Sequence, residues 1–418
     1  MAAPKLRFKD EQGRDYPAWL RAPFGNLFLA LRKNALARDT LNYEHGDIKN
    51  IHYGDILVKF ASTVKSTSPV VPYVNTDKIP KSYDILKCGD IIIADTAEDE
   101  TAGKGVEIID DSIPTISGLH TLPYRPQAKF APGYLGYFLN SPYYHKQLIP
   151  LLHGIKVLSV TKEELEKTII SYPTVSEQQK ITDFLTAYDT MIDTQTKRVE
   201  TMKTRKKGLL QKIFSQEIRF KDDKGKEFPK WEEKKLGEAF DYMNYGMNVA
   251  AKPYDGENKY LRITDIDEDN NQYKQNSYVS PSGDLQEKYV LHEGDICFAR
   301  TGASVGKTYI YNPLDGKVYF AGFLIRGHVS EMCVAYFIFL QTLSDKYNKW
   351  VKIMSARTGQ PGINLEEYKT FAIDVPSLPE QQKIADFFTA VDKQIEVEEK
   401  RLETMKTIKK GLLQQMFI

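Results

Sequence analysis

The chain has 418 residues, of which 41% are hydrophobic and 27% charged, a composition typical of a globular protein with two or three domains. Its 57 basic and 56 acidic residues give a net charge of +1, which excludes a uniformly basic surface that coats nucleic acid. No apolar run is long enough to cross a membrane, and the N-terminus lacks the apolar core of a signal peptide.

The three cysteines, Cys88, Cys297 and Cys333, are scattered and form no C-x-x-C pair. This pattern is typical of the reducing cytoplasm, where disulfides are rare. We therefore expect a cytoplasmic protein without disulfides or a structural zinc site.

In chain order, the first recognisable element is a short polar segment that occurs twice. Residues 6–19 read LRFKDEQGRDYPAW, and residues 218–231 read IRFKDDKGKEFPKW. We call them the lead-in segments, because each precedes a globular stretch. Self-similarity of this kind indicates a tandem duplication.

The two globular stretches, roughly residues 16–172 and 230–375, share landmarks although most of their sequence differs. Each contains a Gly-Asp turn followed by an apolar run, residues 92–94 and 297–299, that predicts a strand. A loop of small residues follows, TAEDETAGK in the first stretch and TGASVGK in the second. Scattered Gly and Pro with many aromatic residues predict a strand-rich domain with a few helices.

Towards the end of each stretch the pattern changes to a helical period. Residues 133–152 and 334–354 are each predicted to form one amphipathic helix. A loop follows, residues 153–158 and 356–364, and then a short helix and a strand lead to a proline. The predicted fold class is α+β.

The most extensive repeat is a long helical segment that closes each stretch. Residues 177–214 and 380–417 lie 203 positions apart, and from Pro173 and Pro376 onwards the copies are identical at 26 of 42 positions. Apolar residues recur at alternating intervals of four and three, the period of a coiled-coil seam. The predicted seam contains Ile181, Leu185, Tyr188, Ile192, Gln195, Val199, Met202, Lys206, Leu209 and Ile213, and in the second copy Ile384, Phe388, Val391, Ile395, Glu398, Leu402, Met405, Lys409, Leu412 and Met416.

Each long helix needs a partner for its seam, and the chain supplies two. We predict that they pack antiparallel, because the globular stretch between them can return the chain. Gln195 and Glu398 interrupt the seam near its middle, where they either meet near a pseudo-twofold axis or point to solvent at the seam edge. The first lead-in segment is expected beside the end of the second helix, which closes the chain into a ring.

Motifs of catalytic sites are incomplete in this sequence. Residues 302–308, GASVGKT, have three residues between the glycines, where a phosphate-binding P-loop has four. Residues 140–144, NSPYY, lack the first proline of the Asn-Pro-Pro-Tyr motif of amino-methyltransferases, and we expect Pro142 in the first turn of a helix. The seven histidines show no metal-ligand spacing. We therefore predict no enzymatic activity, no cofactor and no metal site.

Two unlike globular stretches, each closed by a near-identical helix that begins P-x-x-x-EQQKI and ends KKGLLQ-x-x-F, resemble the specificity subunit of type I restriction–modification systems. The lead-in pattern RFKD-x-x-G-x-x-[YF]P-x-W and the landmarks GDI, RTGASVGK and RTGQPGINLEEY belong to the same family pattern. The resemblance covers essentially the whole chain. The first stretch departs from it in the loop after Asp95 and at residues 153–158.

The resemblance implies an α+β fold with two pseudo-symmetric target-recognition domains, residues 1–172 and 216–375, separated by two long antiparallel coiled-coil helices, residues 173–215 and 376–418. Each domain would read one half of a bipartite, asymmetric double-stranded DNA site. The helices would set the spacing and bind two methyltransferase subunits. Motor–nuclease subunits would join them, so that methylation and cleavage belong to the partners.

Candidate DNA contacts follow from the chemistry of base edges, which Arg, Lys, Asn and Gln recognise, and of phosphate, which almost any donor contacts. For any single candidate, a solvated surface role is the alternative. The second domain supplies Arg300, Thr301, Ser304, Lys307, Arg357, Gln360, Asn244, Tyr245 and Arg262, and the first supplies Lys104, Arg125, Lys156, Lys59 and Lys65.

Two basic runs, KTRKK at residues 203–207 and KTIKK at residues 406–410, allow two interpretations. They form a solvated face favoured by the helix dipole, or they contact the DNA spacer or partner subunits. The helix residues outside the seam are predicted to bind the methyltransferase.

Two other classes of function compete with DNA recognition. A coiled-coil scaffold that pairs proteins explains the long helices, but not two diverged domains with equivalent polar loops. A fused nuclease or methyltransferase needs the missing motifs. Salt-dependent DNA binding distinguishes a recognition subunit from a scaffold.

Overall fold

The structure is a computed structural model that describes residues 4–268, 270–274, 278–356 and 361–418. The chain forms two compact units, the first from Met1–Thr196 and Lys400–Ile418 and the second from Lys197–Glu399. Each unit contains one globular domain and one half of each long helix. The α+β class is confirmed, because both domains combine small sheets with short helices.

In the first unit the strands are β1 (Leu20–Pro23), β2 (Phe28–Ala30), β3 (Leu41–Asn42), β4 (Lys49–Ile51), β5 (Thr63–Lys65), β6 (Tyr73–Val74), β7 (Ile91–Ala94), β8 (Thr96–Ala97), β9 (Gly105–Asp110), β10 (Thr115–Ser117), β11 (Thr121–Pro126), β12 (Leu158–Ser159) and β13 (Ile169–Tyr172). The helices are α1 (Phe24–Leu27), α2 (Tyr53–Val58), α3 (Tyr134–Leu139), α4 (Pro142–Leu148), α5 (Lys162–Leu165) and the first half of α6 (Val175–Phe214). The main sheet has five strands in the order β2-β11-β7-β9-β5, a second has four in the order β10-β4-β6-β3, and β1 pairs with β13 and β8 with β12.

In the second unit the strands are β14 (Glu232–Lys235), β15 (Phe240–Tyr245), β16 (Ala251–Pro253), β17 (Lys259–Leu261), β18 (Val279–Pro281), β19 (Asp295–Ala299), β20 (Thr308–Ile310), β21 (Val318–Phe320), β22 (Leu324–Val329) and β23 (Ala372–Val375). The helices are α7 (Ala335–Gln341), α8 (Asp345–Met354), α9 (Leu365–Lys369) and the first half of α10 (Leu378–Met416). The main sheet has four strands in the order β15-β22-β19-β20, and β14 pairs with β23, β16 with β18 and β17 with β21.

The strand after each Gly-Asp turn lies inside the main sheet and is buried on both faces. In β7, Ile91 and Ile93 belong to one apolar cluster and Ile92 and Ala94 to another. Successive side chains of a strand point to opposite faces, and a strand covered on both faces reads as a continuous apolar run. The strands predicted from these runs are confirmed.

The single helices predicted for residues 133–152 and 334–354 are wrong, because each segment forms two helices. Between α3 and α4 the side chain of Ser141 accepts a hydrogen bond from the Tyr144 backbone N–H, and Ser344 caps α8 in the same way. An N-cap residue has an extended backbone, which ends the preceding helix. Pro142 occupies the first turn of α4, as predicted.

The two long helices run antiparallel, as predicted. In the second unit Lys206 lies 2.6 Å from Asp392 and Lys203 lies 2.6 Å from Glu399, so a step towards the start of α6 is a step towards the end of α10. In the first unit Lys409 of α10 lies 2.5 Å from Asp189 of α6. All predicted seam residues are buried or half-buried.

The polar pair near the middle of the seam is shielded from water. Gln195 is 6% exposed. The side chain of Glu398 is 13% exposed and forms an ion pair with Arg198 at 2.7 Å. The interpretation in which both side chains point freely to solvent is therefore wrong. That the two meet near a twofold axis stays a prediction.

The first lead-in segment lies beside the end of the second helix, as predicted. The Leu6 N–H donates to the Gln415 carbonyl at 3.0 Å, and the Trp19 ring contacts the Phe417 ring with centroids 6.4 Å apart. Both ends of the chain therefore belong to the first unit. The division into segments 1–172, 173–215, 216–375 and 376–418 stays a prediction, since the compact units divide both helices between them.

Candidate nucleic-acid interface

The EQQKI repeat joins each domain to its long helix. The Glu177 carboxylate accepts two hydrogen bonds from Arg7 in the first lead-in segment, at 3.0 and 2.7 Å, and Glu380 accepts two from Arg219 in the second, at 3.2 and 2.7 Å. Both carboxylates are fully buried. The repeat is therefore explained by a shared structural contact in each unit.

The first glutamine of the same motif ties the helix start to the domain core. The Gln178 amide donates to the Pro173 carbonyl and accepts from the Ala131 N–H, both at 2.9 Å. Gln381 makes the equivalent bonds in the second unit. These buried side chains are not available to DNA.

The aspartate of each Gly-Asp turn also has a structural role. Asp90 accepts the Lys87 N–H at 2.8 Å and pairs with Arg125 at 2.9 and 2.7 Å. At the equivalent strand positions of the second domain, Asp295 pairs with His328 at 2.8 Å. The DNA candidate Arg125 is therefore bound to a buried carboxylate.

The side chain of the DNA candidate Asn244 binds a buried arginine, Arg326, that was not predicted from the sequence. The guanidinium of Arg326, which is 5% exposed, donates to the Asn244 side-chain oxygen at 3.1 Å and to the carbonyls of Val290 and Lys288 at 2.9 and 3.0 Å. The one feature of the sequence that indicates a buried Arg326 is its position in the apolar run of β22. Asn244 supports this arginine.

Arg300 lies at the end of β19 against two exposed aromatic rings. Its Nε donates to the Gly322 carbonyl at 2.9 Å, and its guanidinium carbon lies 5.1 Å from the Tyr245 ring centroid and 5.9 Å from that of Phe323. Tyr245 is 42% exposed and Phe323 is 56% exposed. Phe323 was not predicted from the sequence.

Two loops that were predicted separately meet beside Arg300. The Gly302 N–H donates to the Pro361 carbonyl at 3.0 Å, and the Ile363 N–H donates to the Arg300 carbonyl at 2.9 Å. Thr301 forms a backbone bridge to Gly362. The candidates Arg357 and Gln360 of the second loop lie outside the described residues.

The other candidates of the second domain surround this surface. Ser304 is half-buried in the short helical turn after Arg300. Lys307 pairs with Glu268 at 2.5 Å, and Arg262 pairs with Asp265 at 2.8 and 2.7 Å. A groove of about 310 Å³ lies beside Arg262 and is lined by Met247, Asn248, Val249, Ala251, Tyr260, Arg262, Ile263, Thr264, Ala321, Gly322 and Phe323.

The first domain carries a different cluster at the equivalent positions. The Asp95 N–H donates to the His120 carbonyl, as the Arg300 N–H donates to the Phe323 carbonyl. The Asp95 carboxylate lies 2.9 Å from the Lys33 Nζ and 3.3 Å from His120 Nδ1. No motif of the sequence predicts this cluster, although Asp95 and Arg300 lie at the same distance from the Gly-Asp turn.

Two lysine candidates of the first domain are bound to the protein. Lys104, the counterpart of Lys307, donates to the carbonyls of Leu57 and Phe60 at 3.0 and 2.8 Å, and burial lowers the pKa of its ammonium. Lys59 pairs with Asp55 at 2.9 Å. Both therefore stabilise the region around α2.

Lys65 and Lys156 are exposed on the first domain. Lys65 ends β5, and Lys156 lies in the loop between α4 and β12. Its neighbours Ile155 and Val157 are 100% and 50% exposed. These lysines are the candidates of the first domain that stay accessible to a phosphate backbone.

The basic runs divide between seam and solvent. Lys203 and Lys206 of the first run and Lys409 of the second form ion pairs with acidic residues of the facing helix. The remaining cations, Arg205, Lys207, Lys406 and Lys410, are exposed. Lys206 and Lys409 are therefore held between the helices, and for the exposed cations both interpretations stay open.

Within the described ranges, no group of three or more His, Cys, Asp and Glu side chains is arranged to hold a metal ion. No helix among these residues is long and apolar enough to cross a membrane. The three cysteines are all free thiols.

The sequence profile of the family described as "Type I restriction modification DNA specificity domain" matches residues 39–203 and residues 229–407. The chain belongs to this family. The type I specificity profile matches once in each globular domain and continues into the long helix that follows. A scaffold without DNA-specificity domains is not favoured by this double match.

Similar proteins include specificity subunits of type I restriction enzymes. The chain is 26% identical over 275 residues to the type I restriction enzyme MjaVIII specificity subunit of Methanocaldococcus jannaschii, a match that covers 62% of this chain and 64% of the relative. That match spans less than two thirds of the relative's length. A putative MjaX specificity subunit of the same organism is 24% identical over 348 residues, covering 80% of this chain and 79% of the relative.

Solved structures share the fold. The S subunit of a type I restriction–modification system from M. genitalium is 15% identical, with a TM-score of 0.54 and coverage of 100% of this chain and 99% of that chain. A chain from a study of complex assembly and conformational transition of the type I R-M system is 16% identical, with a TM-score of 0.60 and coverage of 96% and 98%. At these identities the likeness shows the fold alone.

Proposed function

We propose that this chain is the non-catalytic DNA-recognition subunit of a type I restriction–modification complex. Each specificity domain reads one half of a bipartite, asymmetric DNA site, and the helix pair sets the number of base pairs between the halves. The observation that carries the proposal is the double match to the type I DNA specificity domain.

The different chemistry of the two domains supports an asymmetric target. The second domain places Arg300 and Phe323 where the first places Asp95 and His120. The Arg300 guanidinium can donate to base edges, whereas the Asp95 carboxylate is paired with Lys33 and lies beside His120. Because the equivalent positions present different polar groups, we expect the two domains to select different half-sites.

In the second domain we assign Arg300, Thr301, Ser304, Lys307 and Tyr245 to the DNA interface. The partner of Lys307, Glu268, has a side chain that is 74% exposed. An exposed ion pair contributes about 0–1 kcal/mol, so a phosphate can replace this carboxylate at little cost. Asn244 and Arg262 are held by partners of their own and position the surface.

In the first domain we assign Lys65 and Lys156 to phosphate contacts, because both are exposed. Lys104, Lys59 and Arg125 act structurally, through contacts with backbone carbonyls or buried aspartates. Their removal is expected to destabilise the domain, with no direct effect on base preference.

The catalytic steps of this complex belong to its partners. Two methyltransferase subunits bind the surfaces of α6 and α10 outside the seam, and motor–nuclease subunits join them. The exposed apolar residues Met191, at 54%, and Val397, at 64%, support a protein-binding role for the outer helix faces. The complex works on DNA in the cytoplasm, and this chain binds no cofactor of its own.

A methylation map tests the proposal. The chain is coexpressed with its cognate methyltransferase subunit in a methylation-free host, and the DNA is sequenced with detection of modified bases. We expect a bipartite motif that contains a methylated adenine in each half. Exchange of residues 230–375 for the segment of another family member is expected to change one half of the motif and preserve the other.

The matched control exchanges residues 16–172 and is expected to change the opposite half. Methylation by an active partner in a motif that is independent of this chain would contradict the proposal. A scaffold function would then replace it.

A further inference from the structure

The guanidinium of Arg300 is held in a fixed plane at the surface of the second domain. Its Nε is bound to the Gly322 carbonyl at 2.9 Å, and the rings of Tyr245 and Phe323 lie against it. Contact with aromatic faces and a fixed Nε reduce the rotamer freedom that a long side chain otherwise loses on binding. The side chain is thus organised before a ligand arrives.

The outer donors of Arg300 remain available. The structure describes three arginines between residues 230 and 375, of which Arg262 and Arg326 pair with aspartates. Arg300 has no carboxylate partner among the described residues, and its two Nη groups donate to none of them. Within the described part of the chain, these outer donors are therefore unoccupied.

Phosphate and guanine both accept hydrogen bonds from such a fork, but they differ in the geometry of their acceptor atoms. A phosphate contact needs a positive charge that can reach the backbone, which arginine supplies with two donors and lysine supplies as a point charge. The O6 and N7 atoms of guanine lie in one plane and accept the two parallel donors of a planar guanidinium. The bond at Nε and the two aromatic contacts hold the planar guanidinium of Arg300 in place.

We propose that Arg300 reads a guanine in the half-site of the second specificity domain by donating from its guanidinium to O6 and N7 in the major groove. The inference rests on the proposed function and names the base and the contact. Tyr245 and Phe323 are positioning residues that hold the guanidinium plane. Asp95 occupies the equivalent position of the first domain, so this contact belongs to the second half-site alone.

The test uses the complete methyltransferase complex and duplexes that carry the mapped target. Each guanine of the second half-site is replaced in turn by 7-deazaguanine, which removes the N7 acceptor and keeps Watson–Crick pairing. The wild-type complex is expected to bind one of these duplexes more weakly. Exchange of that G·C pair for A·T is expected to cost about 5- to 150-fold in affinity.

Arg300→Lys keeps the positive charge but lacks the planar fork, so its ammonium can donate to O6 and N7 only from a single nitrogen. We expect this variant to lose most of its sensitivity to 7-deazaguanine at that position and to relax the methylation motif there, with the first half-site unchanged. Lys307→Ala is the matched control. It is expected to weaken binding to all duplexes, to reduce the slope of log affinity against log salt by about one, and to keep the sensitivity to 7-deazaguanine.

Two outcomes overturn the assignment. They are the absence of a sensitive guanine in the second half-site, or an Arg300→Lys complex with unchanged sensitivity and an unchanged motif. If Arg300→Lys prevents assembly, Phe323→Ala gives the same comparison, because it removes one ring and leaves the bond to Gly322. A wild-type motif that depends on this chain, combined with an unaffected Arg300 variant, rejects the guanine contact and leaves the proposed function intact.

Discussion

A buried carboxylate in the first domain couples its stability to pH. Glu107 in β9 is 1% exposed and accepts hydrogen bonds from the N–H groups of Gly133 and Gly136 at 2.7 and 2.9 Å. Burial raises the pKa of Glu107 to about 7, although these backbone bonds oppose the shift. Gly136 allows this close packing, because a Cβ there would lie 2.1 Å from the Ser62 carbonyl oxygen.

The raised pKa predicts that Glu107 makes the first domain less stable as pH rises. The unfolded carboxyl loses its proton near pH 4.5 and the folded one near pH 7, so the loss accrues across this interval and ends above it. The shift corresponds to a loss of about 3 kcal/mol. Glu107→Gln is expected to remove this slope, which thermal unfolding of the first domain at pH 5, 6, 7 and 8 measures. The wild-type unfolding curve of the second domain is the internal control, and an unchanged slope in the variant contradicts the prediction.

Single residues show how far sequence reasoning reaches at this scale. Residue type and a place beside a small-residue loop predict a DNA contact for Arg300, which lies at an exposed aromatic surface. The same features predict a DNA contact for Lys104, yet its ammonium is held by two backbone carbonyls. Residue type does not show which acceptor a charge finds, because that acceptor lies more than forty positions away in the sequence.

The lead-in segments are short elements that are stabilised by one buried carboxylate each. In the first unit Arg7 is about one-fifth exposed while Glu177 is fully buried. The pair of Arg14 and Asp10 in the same segment joins an arginine that is 72% exposed to an aspartate that is 21% exposed. The first lead-in segment thus contains one arginine that pairs with a buried carboxylate of α6 and one that forms a surface ion pair.

We expect Arg7→Ala to destabilise the first unit by about 3 kcal/mol, because it leaves the Glu177 carboxylate buried without a counter-charge. Arg14→Ala is the matched control and is expected to cost less than about 1 kcal/mol. Urea unfolding of both variants measures the difference. Equal losses in the free energy of unfolding would contradict the prediction that the buried ion pair with Glu177 contributes more than the surface pair.

At the scale of whole elements, hydrophobic periodicity predicted which helix residues are buried but not where a helix ends. Every residue that the 3.5-residue period places in the seam of α6 and α10 is buried or half-buried, because side-chain spacing decides which face of a helix can be covered. That these residues pair across the seam stays a prediction. The same periodicity predicted one helix in place of α3 and α4, because the apolar spacing continues across Ser141. A capping hydrogen bond ended the helix there, and such a bond depends on backbone geometry.

For the molecule as a whole, both chain ends belong to the first unit. Phe417 is 2% exposed and packs against Trp19, Tyr134 and Phe138. Its repeat counterpart, Phe214, packs against Trp231 and Phe337 in the second unit. Each copy of the long helix thus ends in the core of the unit that contains the lead-in segment beside it.

This arrangement predicts selective effects of two matched substitutions. Phe417→Ala is expected to destabilise the first unit by about 3–5 kcal/mol and to reduce protection against hydrogen exchange in β7, while β19 of the second unit stays protected. Phe214→Ala is expected to do the reverse. Exchange measured by mass spectrometry on the full chain gives both readouts. Loss of protection in both units from either change would contradict the assignment of the chain ends.

The sequence by itself determined the duplication, the antiparallel seam and the return of the chain to its start, because all three follow from repeats and spacing. Only the tertiary structure decided which polar residues are accessible. Arg125 and Asn244 are held by buried partners, whereas Phe323, which no motif marked, lies exposed beside Arg300. Partners and exposure arise from contacts between strands and loops far apart in the chain, and those contacts exist only once the two domains have folded.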